Sequence, residues 1–300
     1  GAHRVLHSFP TRRSSDLLLG CAALPAATLA GAQGKPASPR KAILLVAFGT
    51  SVPEARKVFD GIDARVKAAY PQIPVRWAYT SRTIRHKLAP QGQLLDSPEM
   101  ALARLMDEGF THVAVQSLHT IAGEEFHDLQ RNALAFGRMA GGFQQIQVGL
   151  PLLASDGDLQ RVVAAMIEQI PPQRKPDAAV VLMGHGTPHP ANAAYAALAY
   201  HFQRKDPNIF VGAVEGAPSI EEIRDTLTDR RITTAYLIPF MSVAGDHALN
   251  DLAGNEADSW KSVLSAAGIA CLPVMKGTAE YDGIVRIWVD HLGAALARME

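Results

Sequence analysis

The sequence predicts an α/β protein built as two similar doubly wound parallel-sheet domains, related by internal duplication, with a site in the cleft between them. Three observations predict it. From Lys41 onward, apolar runs alternate with amphipathic stretches, the rhythm of βαβ units. The runs are continuous in Val, Ile and Leu rather than interleaved with polar residues, so the strands are covered on both faces. The chain also repeats itself. Ile43-Leu-Leu-Val-Ala-Phe48-Gly49-Thr50 is matched by Val180-Val-Leu-Met-Gly-His185-Gly186-Thr187. Val75-Arg-Trp-Ala-Tyr79 is matched by Val211-Gly-Ala-Val-Glu215, and the stretch ending in Gly123-Glu124-Glu125 by the one ending in Gly245-Asp246-His247. The separation between matched positions is nearly constant over the first two pairs and shorter at the third. Extra residues therefore lie in the first half, around 89–98.

In chain order, the first half offers strands at 42–48, 75–79, 112–117 and 147–150, and helices at 52–69, 97–108, 124–139 and 156–169. The second offers strands at 178–183, 209–214, 234–238 and 269–274, and helices at 190–205, 219–230, 247–267 and 281–299. Ser97-Pro98-Glu99 is a start signal: a cap, a proline in the first turn and an acid near the positive helix end. Ser219 with Glu222 reads as a capping box. The domains are expected at 41–170 and 171–300, after a leader over 1–40.

Composition excludes several classes. Lys plus Arg and Asp plus Glu both number 29, and the basic residues are dispersed. There is no concentrated positive stripe for nucleic acid. Cys21 and Cys271 form no C-x-x-C pair, and Cys271, in an apolar strand pattern, reads as a packed thiol. Leu17 to Ala32 is small and apolar, ends in Ala30-Gly31-Ala32 and contains Pro25. It reads as a secretory segment cleaved before Gln33 and not as a transmembrane span, which makes the mature protein periplasmic. Residues 9–17 look foreign to such a leader. Leu18-Leu19-Gly20-Cys21 also resembles a lipoprotein box, which would leave a lipidated Cys21. Residues 33–40, rich in Gly, Pro and Ser, are expected to be a flexible start.

The repeat supplies a control for each candidate site residue. Where the first half has Phe48, Tyr79 and Glu125, the second has His185, Glu215 and His247. All three lie at or just past the carboxyl ends of expected strands, where ligands bind in such sheets. Gly184 and Gly186 leave room around the His185 imidazole. His247 near a helix N-terminus stays neutral, with a lone pair for a metal or a proton. Glu215 straight after an apolar strand needs a metal or an arginine partner. Two imidazoles and a carboxylate suit a divalent first-row metal such as Co, Fe, Ni or Zn. Glu125 is either a carboxylate on the opposite cleft wall or a capping acid, and His119 either lines the cleft or is a buried structural residue. Phe48 and Tyr79 are expected to form substrate-facing wall. Arg82, Arg85 and Lys87 could meet carboxylates of an acidic substrate or form a solvated basic helix face. His127 has no counterpart imidazole (Leu249 stands there) and reads as a surface histidine or as an external ligand, to a haem iron or at a contact in a homo-oligomer. No G-x-G-x-x-G is present, so no dinucleotide is expected.

Gly184-His185-Gly186-Thr187, Glu215-Gly216 and Gly245-Asp246-His247 together resemble the anaerobic cobalt chelatases of the CbiK type, class II tetrapyrrole chelatases related to ferrochelatase. Ala47 to Ser51 and Ser117 to Glu125 resemble that family's first-half motifs. The resemblance covers about residues 41–298. It implies two α/β domains related by a pseudo-twofold, and insertion of Co2+, with Fe2+ as a variant, into sirohydrochlorin. It also implies that His185, Glu215 and His247 bind the metal and take part in catalysis. The secretory segment departs from the mostly cytoplasmic family. That leaves a second reading: a periplasmic metal or haem carrier that kept the fold. A two-domain solute-binding protein has a similar cleft but does not explain a His/Glu/His set confined to one half.

Overall fold

The apolar runs build the sheets as their composition requires. The structure, a computed structural model, describes residues 38–300; the leader readings before Ser38 lie outside the described residues. The first half runs β1 (Lys41–Ala47), α1 (Pro53–Arg56), α2 (Val58–Ala69), β2 (Val75–Tyr79), α3 (Arg82–Leu88), α4 (Pro98–Asp107), β3 (His112–Ser117), α5 (Glu124–Phe136), β4 (Gln145–Gly149) and α6 (Asp156–Ile167). The second runs β5 (Ala179–Gly186), α7 (Ala193–Gln203), β6 (Ile209–Glu215), α8 (Ile220–Asp229), β7 (Thr234–Pro239), α9 (Trp260–Ala266), β8 (Ala270–Pro273) and α10 (Asp282–Ala297). The strands form two parallel sheets, ordered β2-β1-β3-β4 and β6-β5-β7-β8. The two orders are the same order twice, so the duplication seen in sequence is a duplication of topology.

Both faces of each sheet are covered. Ile43 and Leu45 of β1 join a core shared with Val180 and Leu182 of β5, while Leu44 and Val46 face a separate layer under α4 and α5. Val181 and Met183 likewise face their own layer, with Ile223 of α8 and Leu264 of α9. Period-two alternation therefore sends one set of side chains to the common core and the other outward. That is why neither set can be polar.

The packing does not stop at residue 170. The last helix, α10, crosses back onto β3, β4 and α6 of the first half. Its Trp288 and Leu292 are buried in the shared core. Amphipathicity locates such a helix but does not say which sheet its apolar stripe covers. Residues Pro39–Glu300 accordingly form one packed unit.

Four local expectations need correction. The folded unit starts earlier than Lys41: the Arg40 N–H donates to Thr111 Oγ1 at 3.0 Å, and its guanidinium lies 4.9 Å over the Phe110 ring. The helix expected over 52–69 breaks between α1 and α2, and α3, outside the expected helix ranges, carries Arg82, Arg85 and Lys87, which were weighed as a basic helix face. The long helix expected over 247–267 is instead one π-helical turn, Ala248–Leu252, then a loop, then α9 capped by Ser259. Finally, β8 is an edge strand with mostly exposed residues, so Cys271 is only half-buried, though burial still pushes its thiol pKa up.

Candidate active site

The carboxyl ends of β5 and β6 and the loop after β7 converge on one open cavity of about 440 Å³. Its walls come from both halves: Phe48, His119 and Glu125 from the first, and His185, Glu215 and His247 from the second.

The backbone at the end of β5 is shaped by two glycines. A side chain at Gly184 would strike the Tyr195 ring, 2.4 Å from an ideal Cβ. Tyr195 is 2 % exposed, and burial pushes its phenol pKa up to about 12, so it packs under His185 as a neutral ring. Gly186 has φ +82° and sits opposite Glu215 on the β5–β6 ladder. His185, the next-to-last residue of β5, lines the cavity just before this turn.

The two histidines meet there. Their ring centroids are 4.6 Å apart and the planes cross at 87°. His185 Nδ1 lies 3.1 Å from the Gly186 carbonyl oxygen, and His247 Nδ1 lies 2.5 Å from Asp251 Oδ2. Both partners are acceptors, which assigns the ring proton to Nδ1 in each neutral ring. The Nε2 atom of each ring is therefore the one with a free lone pair.

Asp251 is a site residue to which the sequence alone gave no role. The i,i+4 spacing His247 to Asp251 in a helical turn was the available signal. A carboxylate bonded to a ligating imidazole fixes its tautomer and ring orientation. Asp251→Asn, whose amide no longer enforces Nδ1 protonation, is expected to lower the rate of metal insertion about 10- to 100-fold. Unchanged rates and unchanged Co2+ affinity in that variant would show that the contact is incidental.

Glu215 lines the cavity and its residue is exposed. It does not close a third-ligand position: among the described residues no three His, Cys, Asp or Glu side chains are grouped to hold an ion. The ladder gives the reason. Glu215 is paired with Gly186, one residue past His185, so it is one register position further along the ladder than the imidazole.

On the opposite wall, Phe48 is 40 % exposed at the turn that matches His185. His119 is tied down on both nitrogens: Nδ1 is 2.8 Å from Ser117 Oγ, and Nε2 is 3.3 Å from both Thr80 Oγ1 and Glu125 Oε2. It is thus both a lining residue and a structural one. Glu125 holds the first turn of α5 and turns its carboxylate toward this imidazole.

One expected wall residue, Tyr79, lies elsewhere, and His127, read as a surface histidine or an external ligand, is on the surface. Tyr79 is absent from the cavity wall. It stacks on Trp77 at 6.2 Å and packs against Phe59 at 6.0 Å, and burial pushes its phenol pKa up to about 12. The aromatic content of β2 drew the ring inward. His127 is exposed on α5, outside the cavity wall, with its ring 5.4 Å from that of His189. His189 Nδ1 accepts from the Ala191 N–H at 3.1 Å and so caps a short turn.

The chain matches relatives along nearly its whole described length. The family described as "Cobalt chelatase (CbiK)" matches residues 41–297. A sirohydrochlorin cobaltochelatase, CbiKC, of Nitratidesulfovibrio vulgaris is 44% identical over 87% of this chain and 92% of its own. The sirohydrochlorin cobaltochelatase of Salmonella typhimurium is 37% identical over 86% of this chain and 97% of its own. Among solved structures, SirB from Bacillus subtilis with Fe3+ superposes with a TM-score of 0.59 at 19% identity, covering 87% of this chain and 97% of that one, which shows the shared fold. By its sequence and its doubled four-strand architecture, the chain belongs to the CbiK cobalt chelatase family.

Proposed function

We propose that this chain is a sirohydrochlorin cobaltochelatase, inserting Co2+ into the tetrapyrrole and releasing two protons. The observation that carries the reading is the His185–His247 pair on one cavity wall, with ring centroids 4.6 Å apart and each Nδ1 beside an acceptor, which leaves each Nε2 the ring nitrogen with a lone pair. Co2+ is a substrate here. His185 and His247 hold it on the second-half wall, and the exposed Glu215 carboxylate moves in as an oxygen ligand. Two imidazoles and a carboxylate suit Fe2+ as well, so Fe2+ is the second metal to test.

The macrocycle lies between this wall and Phe48. Insertion exchanges two pyrrole N–H protons for one dication. As the ion passes to the ring nitrogens, it leaves the imidazoles, and the freed Nε2 lone pairs become the nearest bases for the departing protons. A neutral imidazole and a carboxylate are suited to that role near neutral pH. The reading as a metal or haem carrier is not the one the family supports, and haem is no part of the proposal.

Anaerobic incubation of the protein with sirohydrochlorin and Co2+ tests it, followed by the change in macrocycle absorbance on metallation. Multiple turnovers above the spontaneous rate are expected. Stoichiometric binding of either substrate with no accelerated insertion of Co2+ or Fe2+ would leave a carrier instead.

A further inference from the structure

The cavity wall is chemically one-sided. Glu124, Glu125, Glu215 and Asp246 line it, and no Lys or Arg does among the described residues. Sirohydrochlorin carries a ring of acetate and propionate groups, so a purely acidic mouth would repel it. A cation has to stand at the rim, and α3 supplies one. Ile84 of α3 lines the cavity, and Lys87, one turn on, shares its helix face. The Lys87 Nζ donates to Ser51 Oγ at 2.9 Å and lies 3.6 Å from Asp246 Oδ2. Ser51 Oγ in turn donates to Asp246 Oδ2 at 3.0 Å. Ser51 follows the first-half turn Gly49-Thr50, and Asp246 precedes His247. The ammonium is therefore held over the seam where the two halves meet, beside the metal-facing histidine.

The neighbouring cations are placed differently. Arg82 and His86 are exposed on α3, away from the face of Ile84. Arg85 is half-buried near Glu99 of α4: burial pushes that carboxyl up, while hydrogen bonds from its own backbone, Asn132 and Ser97, and lastly the Arg85 charge, bring it below its usual pKa.

We propose that Lys87 is the subsite for a peripheral carboxylate of the macrocycle, a reading that rests on the proposed substrate. Its ion pair with Asp246 is solvent-exposed on both sides, with 56% and 48% of the side chains accessible, and such pairs are weakly held. A carboxylate from the ligand displaces Asp246, while Ser51 keeps the ammonium in place. The flexible stem and three donors of lysine allow that exchange without movement of α3.

The test is kinetic and direct. Lys87→Gln is expected to raise the KM for sirohydrochlorin about tenfold, the worth of one charge-assisted hydrogen bond, with Lys87→Glu higher still and Lys87→Arg largely restored. The effect falls on macrocycle KM, while kcat and the KM for Co2+ stay near wild type. Metal-free binding of sirohydrochlorin, followed by quenching of protein fluorescence, weakens in parallel. Sirohydrochlorin esterified at its carboxylates binds wild type and Lys87→Gln alike. Unaltered macrocycle affinity in both Lys87→Gln and Lys87→Glu overturns the subsite. So does a loss confined to kcat or to Co2+ KM, which would make the contact a structural latch. If wild type itself neither binds nor metallates sirohydrochlorin, the proposed function falls first, and that result is read separately from the variants.

Discussion

Replacing His185 by alanine is expected to lower the rate of Co2+ insertion by about two to four orders of magnitude, the range for losing a positioned acid–base group. The imidazole stands at the end of β5, and among the described residues it hydrogen-bonds only to the neighbouring Gly186 carbonyl. Its removal therefore breaks no tertiary contact that holds the fold. The same variant should bind sirohydrochlorin normally and melt near the wild-type temperature. His247→Ala should resemble it, because both rings serve one cation. The double variant should lose little more than either single one, as expected for groups that act as a unit. Wild-type turnover by His185→Ala would remove the metal from this wall.

Gly186→Ala should do the opposite kind of damage, through the backbone. An ideal Cβ at Gly186 would lie 1.9 Å from the Glu215 carbonyl oxygen and 2.8 Å from Ala213 Cβ, at φ +82°. Neither neighbour is the free end of a flexible side chain, so the β5–β6 ladder must part. The cost is expected at several kcal/mol, about 3–5, with a fall in Tm on the order of 10 °C and loss of activity as His185 and Glu215 separate. Gly92 is the control. It also has positive φ, +77°, but open space around it. Gly92→Ala should therefore cost only about 1 kcal/mol and leave activity intact. Equal melting temperatures for the two variants would show that the ladder end tolerates movement.

Much of this architecture is written in the strands. The continuous runs in β1 and β5 could only be covered on both faces, and the matched turns Phe48-Gly49-Thr50 and His185-Gly186-Thr187 fixed the duplication. Comparing the halves also singled out His185 and His247, since a phenylalanine and a glutamate hold the equivalent positions. The same comparison misled at Tyr79. Position on the ladder is conveyed by the repeat, but the direction of a ring is decided by its neighbours, here Trp77 and Phe59. The π-helical turn after His247 was hidden because its residues also satisfy a helical pattern. Yet that turn sets Asp251 beneath the imidazole at 2.5 Å. The crossing of α10 onto the first sheet was hidden for a similar reason: an apolar stripe names a face, not a partner.

One measurement bears most directly on the account: a crystal structure of the protein with Co2+, the ion located by its anomalous scattering. A single ion is expected within about 2.0–2.2 Å of the Nε2 atoms of both His185 and His247, with the Glu215 carboxylate turned toward it. An ion bound instead by Glu124 and Glu125 on the first-half wall, or none at the two imidazoles at Co2+ concentrations that sustain turnover, would contradict it.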